Sequence, residues 1–135
     1  MTPLLCNGAA SLALALLFAA PAQAEKLRLT EADSGRSLVL RHGDEVEVRL
    51  RENASTGFVW AEQADGAPGL KALGRDTDYP DARYPNVRPG APGEAIFRYR
   101  ADVPGEAKLS LRYARPWEKD APPAQRFSAR FDIRP

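Results

Sequence analysis

Cysteine is almost missing from this chain: Cys6 is the only one in 135 residues. No internal disulfide can form, so the fold has to be held by an apolar core. Histidine is equally scarce. His42 alone cannot supply the Cys or His set of a structural zinc site, and it is the only imidazole a serine nucleophile could use as a base. It lies in the turn-like segment Arg41-His42-Gly43-Asp44, which reads as solvated. The 18 acidic residues alternate with basic ones like a solvated surface, so no carboxylate pair stands out as an acid–base couple. An enzyme is not expected, nor a cofactor or a metal. An excess of one charge sign is lacking too. With 19 Lys and Arg against 18 Asp and Glu, the net charge is +1 and the two signs are interspersed, so no nucleic-acid or other polyanionic partner is expected.

Charged side chains are absent before Glu25. The apolar run Leu12 to Ala20 is shorter than the roughly 20 residues a membrane-spanning helix needs. Pro21 and the small-residue triplet Ala22-Gln23-Ala24 follow it. That order reads as a secretory signal peptide cut after Ala24, although Met1 to Asn7 carry no Lys or Arg. Residues 1–24 are therefore expected to be a leader and residues 25–135 a single domain. The product would be exported, periplasmic or secreted, free of the membrane once the leader is removed, and monomeric.

What the chain does have is period-two alternation. Val46, Val48 and Leu50 alternate with Glu47, Arg49 and Arg51, and Phe97 and Tyr99 with Arg98 and Arg100. Leu109, Leu111 and Tyr113 alternate with Ser110 and Arg112, and Phe127, Ala129, Phe131 and Ile133 with mostly polar residues. Leu27 with Leu29, and Leu38 with Leu40, give shorter strands. Turn signals such as Asp33-Ser34-Gly35 and Pro104-Gly105 separate the runs, and no sustained 3.6-residue period follows residue 24. The pattern predicts an all-β protein, an immunoglobulin-like antiparallel β-sandwich without a disulfide. Trp60, two residues after Phe58 on the same strand face, is expected in its core. Gly74 to Pro92 reads as a long irregular stretch, with Tyr79 and Tyr84 covering a sheet edge.

Three connections stand out. One follows the Val46–Leu50 strand, one precedes the Phe97 strand and one follows the Leu109–Tyr113 strand. Alternate connections of a sandwich share an end, which would place Thr56, Gly93 and Trp117 on one edge. The last connection holds Arg115-Pro116-Trp117-Glu118, a large indole in a turn beside a proline that fixes one backbone dihedral. Tryptophan and arginine are the side chains most enriched at interface hot spots.

Those three connections carry a resemblance. Asn53-Ala54-Ser55-Thr56-Gly57-Phe58, then Gly90-Ala91-Pro92-Gly93, then Arg115-Pro116-Trp117 are similar, in order, to the N-P-T-T-G-aromatic, G-x-G-G and R-P-W loops of the chagasin-type inhibitors of papain-like cysteine proteases. Ala54, Ser55 and Pro92 depart from the pattern. The resemblance implies a reversible, non-covalent, tight-binding inhibitor whose partner is a papain-like cysteine protease. All thirteen residues would then be protease-binding. Asn53 to Gly57 would lie over the catalytic cysteine and histidine, Gly90 to Gly93 along one wall of the cleft, and Trp117 against the other with Arg115 holding its loop. The alternative is an exported immunoglobulin-like module that binds carbohydrate or protein without inhibiting anything.

Overall fold

The computed structural model describes residues 24–80, 86, 88 and 90–135. The expected leader up to Gln23, Tyr84 and Pro89 lie outside the described residues. Eight strands follow one another: β1 (Lys26–Leu29), β2 (Arg36–Arg41), β3 (Glu45–Glu52), β4 (Val59–Asp65), β5 (Leu70–Asp78), β6 (Gly93–Ala101), β7 (Gly105–Ala114) and β8 (Gln125–Arg134). They form two four-stranded sheets, β1-β3-β6-β5 and β2-β8-β7-β4.

The alternation puts one apolar row from each central strand between the sheets. Val46, Val48 and Leu50 of β3 and Ala95, Phe97 and Tyr99 of β6 face Leu109 and Leu111 of β7 and Phe127, Ala129 and Phe131 of β8, all buried. Trp60 of β4 is 1% exposed. It stacks on Tyr113 at 5.1 Å between ring centroids, and its Nε1 donates to the Arg51 carbonyl at 2.8 Å. The indole thereby ties the two sheets together with its one polar atom satisfied. Tyr99 is also buried, and its hydroxyl donates to Glu62 across the sandwich at 2.6 Å.

Two features differ from the sequence expectation. The pairing is antiparallel except at two edges, where β1 runs parallel to β3 and β2 parallel to β8. The N-terminal segment passes from one sheet to the other between β1 and β2, so each strand lies beside a neighbour running the same way. The stretch from Gly74 is not wholly irregular either, because β5 continues to Asp78 along β6. After Leu70 every residue of β5 is exposed. It is a charged edge strand with no buried face to impose alternation, and its register shifts between Ala72 and Gly74.

Candidate functional site

The β3–β4, β5–β6 and β7–β8 connections emerge at the same end of the sandwich. The first contains a short 3-10 turn, Ala54–Thr56. Asn53 organises it. The Asn53 carbonyl accepts from the Thr56 N–H (3.2 Å) and from the Thr56 hydroxyl (2.7 Å), while its side-chain oxygen accepts from Ser55 Oγ at 2.5 Å. The Asn53 N–H donates to the Tyr113 hydroxyl at 2.9 Å, fastening the turn to β7. Ser55 and Thr56 are exposed, and Asn53, Gly57 and Phe58 are half-buried.

Gly57 and Trp117 explain each other. Gly57 has φ +82°, a conformation side chains resist, and a Cβ there would run into the six-membered ring of Trp117. The indole of the third loop thus lies against bare main chain of the first. Its other side is open, and Trp117 is 67% exposed. Arg115 is the strut beneath it. Its Nε donates to the Thr56 carbonyl at 3.1 Å, its guanidinium lies 4.4 Å from the Phe58 ring centroid, and Nη1 reaches Glu118 at 3.3 Å. Phe58 in turn packs on Tyr113 at 5.4 Å. The Glu118 N–H donates to the Arg115 carbonyl at 3.1 Å, closing a tight turn around exposed Pro116 and Trp117.

The second loop approaches the first from the other side. Gly90, at φ +76°, lies so close to Ser55 that a Cβ would sit 3.6 Å from its hydroxyl. Ala91 is half-buried and its N–H donates to the Arg88 carbonyl at 3.1 Å; Pro92 is exposed. Gly93 is at this end too, but as the first residue of β6 it is buried, and a Cβ would strike the Tyr79 ring and the Asp78 carbonyl. It seats Tyr79 and presents no surface of its own. A notch of about 220 Å³ runs between the two loops, floored by Asn53, Ser55, Tyr79 and Ala91.

One group at this end escapes sequence reasoning. Glu52 closes β3 on the inward-facing row begun by Val46, Val48 and Leu50, and it is 2% exposed. Arg75 of β5 lies over the Phe97 ring and donates to both Glu52 oxygens at 3.2 and 3.1 Å. Tyr79 stands near the same carboxylate, and burial, then the Glu52 charge, push its phenol above the ordinary value. This cluster, built on buried Glu52, precedes Asn53 in the chain and joins the roots of the first two loops. The signal was the parity of Glu52, an acid where the pattern calls for a fourth apolar residue.

Comparison with known proteins agrees with this geometry. Residues 39–131 match the family model described as chagasin family peptidase inhibitor I42. Chagasin from Trypanosoma cruzi is 28% identical over 105 residues, covering 75% of this chain and 92% of its own. Amoebiasin-2 from Entamoeba histolytica is 27% identical over 106 residues, covering 78% and 84%. The crystal structure of a cysteine protease inhibitor from Entamoeba histolytica superposes with a TM-score of 0.74 at 23% identity, over 83% of this chain and 98% of that one, and so shares the fold.

Proposed function

The chain belongs to the chagasin family of peptidase inhibitors, and from that premise we propose that its three-loop end plugs the substrate cleft of papain-type cysteine proteases, reversibly and without a covalent bond. The observation that carries this reading is the seating of exposed Trp117 on Gly57, with Arg115 bonded to Thr56 below. Two loops are locked together before any partner arrives, so little conformational freedom is lost on docking.

In the complex, Thr56 and the side-chain-free main chain at Gly57 lie over the protease's catalytic pair, and no scissile carbonyl is offered at reaction distance. Gly90, Ala91 and Pro92 follow one wall of the cleft. Gly93 acts from below by holding Tyr79. Trp117 packs its free face on the opposite wall, and an interface of ordinary size buries roughly 800 Å² on each partner. The inhibitor works as a monomer, since the exposed edge strand β5 carries Lys71, Arg75, Asp76 and Asp78, charges that discourage edge-to-edge pairing.

Export with cleavage after Ala24 belongs to the same proposal. The Glu25 nitrogen donates to Asp44 Oδ1 at 2.9 Å, a contact that a free α-amine would turn into an ion pair. The intact mass of the exported protein tests this, and a chain still carrying residues 1–24 overturns it. For inhibition, the protein is titrated against active-site-quantified papain and cathepsin L with a fluorogenic peptide substrate. Stoichiometric, reversible inhibition at nanomolar concentration is expected. No inhibition of either enzyme at micromolar concentration overturns the reading.

A further inference from the structure

The outer faces of the two sheets treat charge in opposite ways. On the β3–β6 pair, opposite charges stand across from each other: Glu45 with Arg100, Glu47 with Arg98, Arg51 with Glu94. On the β7–β8 pair like charges do: Arg112 with Arg126, Lys108 with Arg130, and Glu106 with Asp132. Like charges directly across a ladder destabilise a sheet. On the first face Arg49 is bonded to Glu47 and Glu94, and Arg98 lies near Asp76. On the second, among the described residues, none of Lys108, Arg112, Arg126 or Arg130 has a carboxylate within 4.0 Å.

The sequence reading expected no polyanionic partner because acidic and basic residues are interspersed. Interspersion along a strand is not interspersion in space, because period two sends every second residue to the same face. The outward row of β7, Lys108-Ser110-Arg112, lies beside the outward row of β8, Arg130-Ser128-Arg126. Two cationic doublets thus flank a pair of serines, spaced roughly 13 Å apart at the rise of a strand. Lys108, Arg130 and Arg126 line a shallow trough of about 480 Å³ together with Arg36, Ser37, Ser110 and Ser128, and Arg112 stands beside Arg126 at its rim. An adjoining trough of about 550 Å³ shares Ser37, Lys108 and Arg130 but is also lined by Glu106 and Asp132. The acidic pair Glu106 and Asp132 ends the track on the side away from the loops.

We propose that this face is a binding site for an extended acidic polysaccharide, lying along β7 and β8 with its carboxylates or sulfates at the two doublets. The occupant is chosen by what lines the trough. Hydroxyls of Ser37, Ser110 and Ser128 suit sugar hydroxyls and sulfates. Among the described residues no aromatic side chain faces outward on these strands, so nothing stacks nucleobases. The surface is concave, which fits a chain and not a flat bilayer. The site is separate from the proposed inhibitory loops, so either can fail without the other.

Isothermal titration with heparin and with alginate, and neutral dextran as control, tests the proposal on the purified protein. Both acidic polymers should bind at about 50 mM salt and weaken at least about tenfold by about 200 mM, with dextran silent. The double variant Lys108→Gln/Arg130→Gln should weaken binding by about tenfold or more, while Arg130→Lys retains it. Inhibition of papain should be unchanged, and the Tm of the double variant should hold or rise because a repelling pair is gone. Absence of binding, equal binding by the double variant, or a lowered Tm (which would give the doublet to the fold) overturns the proposal. So does tighter binding to phosphatidylglycerol vesicles or to a single-stranded oligonucleotide.

Discussion

Trp60 and Trp117 each stand near a turn, yet one is core and the other surface. Trp60 stands on β4 in step with the inward row, stacked on Tyr113, its Nε1 spent on Arg51. Trp117 stands in a turn closed by the Arg115–Glu118 hydrogen bond, where no strand parity applies, with one face on Gly57 and the other open. A tryptophan's role is set by the periodicity of the element that carries it, not by its own hydrophobicity. The same chain uses one indole to hold the sandwich together and leaves a face of the other open to solvent.

That contrast can be broken or sharpened by substitution. Trp60→Ala should cost about 3–5 kcal/mol of folding stability, read by urea denaturation, since it empties a large core volume and leaves the Arg51 carbonyl unpaired. Trp117→Ala should cost about 2–4 kcal/mol of protease binding, roughly a 30- to 1,000-fold rise in inhibition constant, with Tm nearly unchanged. If instead Trp117→Ala melted like Trp60→Ala, the distinction between the two would collapse. Arg75→Ala should cost about 2 kcal/mol of stability by leaving the Glu52 carboxylate buried and short of donors, and adding Glu52→Gln should restore part of it. Gly57→Ala, strained at φ +82° and blocked by the indole, should cost about 1–2 kcal/mol and also weaken inhibition, because Trp117 must move.

The smallest effect is a matter of pH. Burial acts to raise the carboxyl pKa of Glu47, but the Arg49 hydrogen bond and the charges of Arg49, Arg28 and Lys26 outweigh it and hold the group below its ordinary 4.5. The unfolded chain therefore takes up this proton first as pH falls. Glu47 stabilises the fold above its ordinary value and loses that contribution as pH drops through its folded value. Glu47→Gln should flatten the acid limb of the stability curve by less than about 1 kcal/mol, measured by urea midpoints across that range.

Strands with one wet and one dry face were legible because burial writes period two into the sequence, as in β3, β6, β7 and β8. β5 was not, since a strand exposed on both faces leaves no such mark. Of the loop residues, Gly57, Arg115 and Trp117 could be found from turn chemistry and motif order. The buried setting of Gly93 could not, because a glycine looks the same under a ring as in a loop tip. Nor could the Glu52, Arg75 and Tyr79 cluster be assembled, because its members come from β3, from β5 and from just beyond β5, and only the sheet register brings them together. The pairing of like charges on β7 and β8 was equally hidden, since it depends on which residues stand opposite.

The parallel pairing of β2 with β8 has a consequence in time. Arg36 and Ala129 are partners near opposite ends of the chain, so the second sheet cannot be completed until the last strand is present. The β5–β6 and β7–β8 pairs join strands that follow one another in the chain, whereas β2 must wait for the longest closure among the described pairings. A chain emerging N-terminus first therefore keeps its second sheet open-sided until β8 has emerged. Completion of that sheet waits on β8, and a truncation that removes β8 would leave β2 without a neighbour even with every other strand in place.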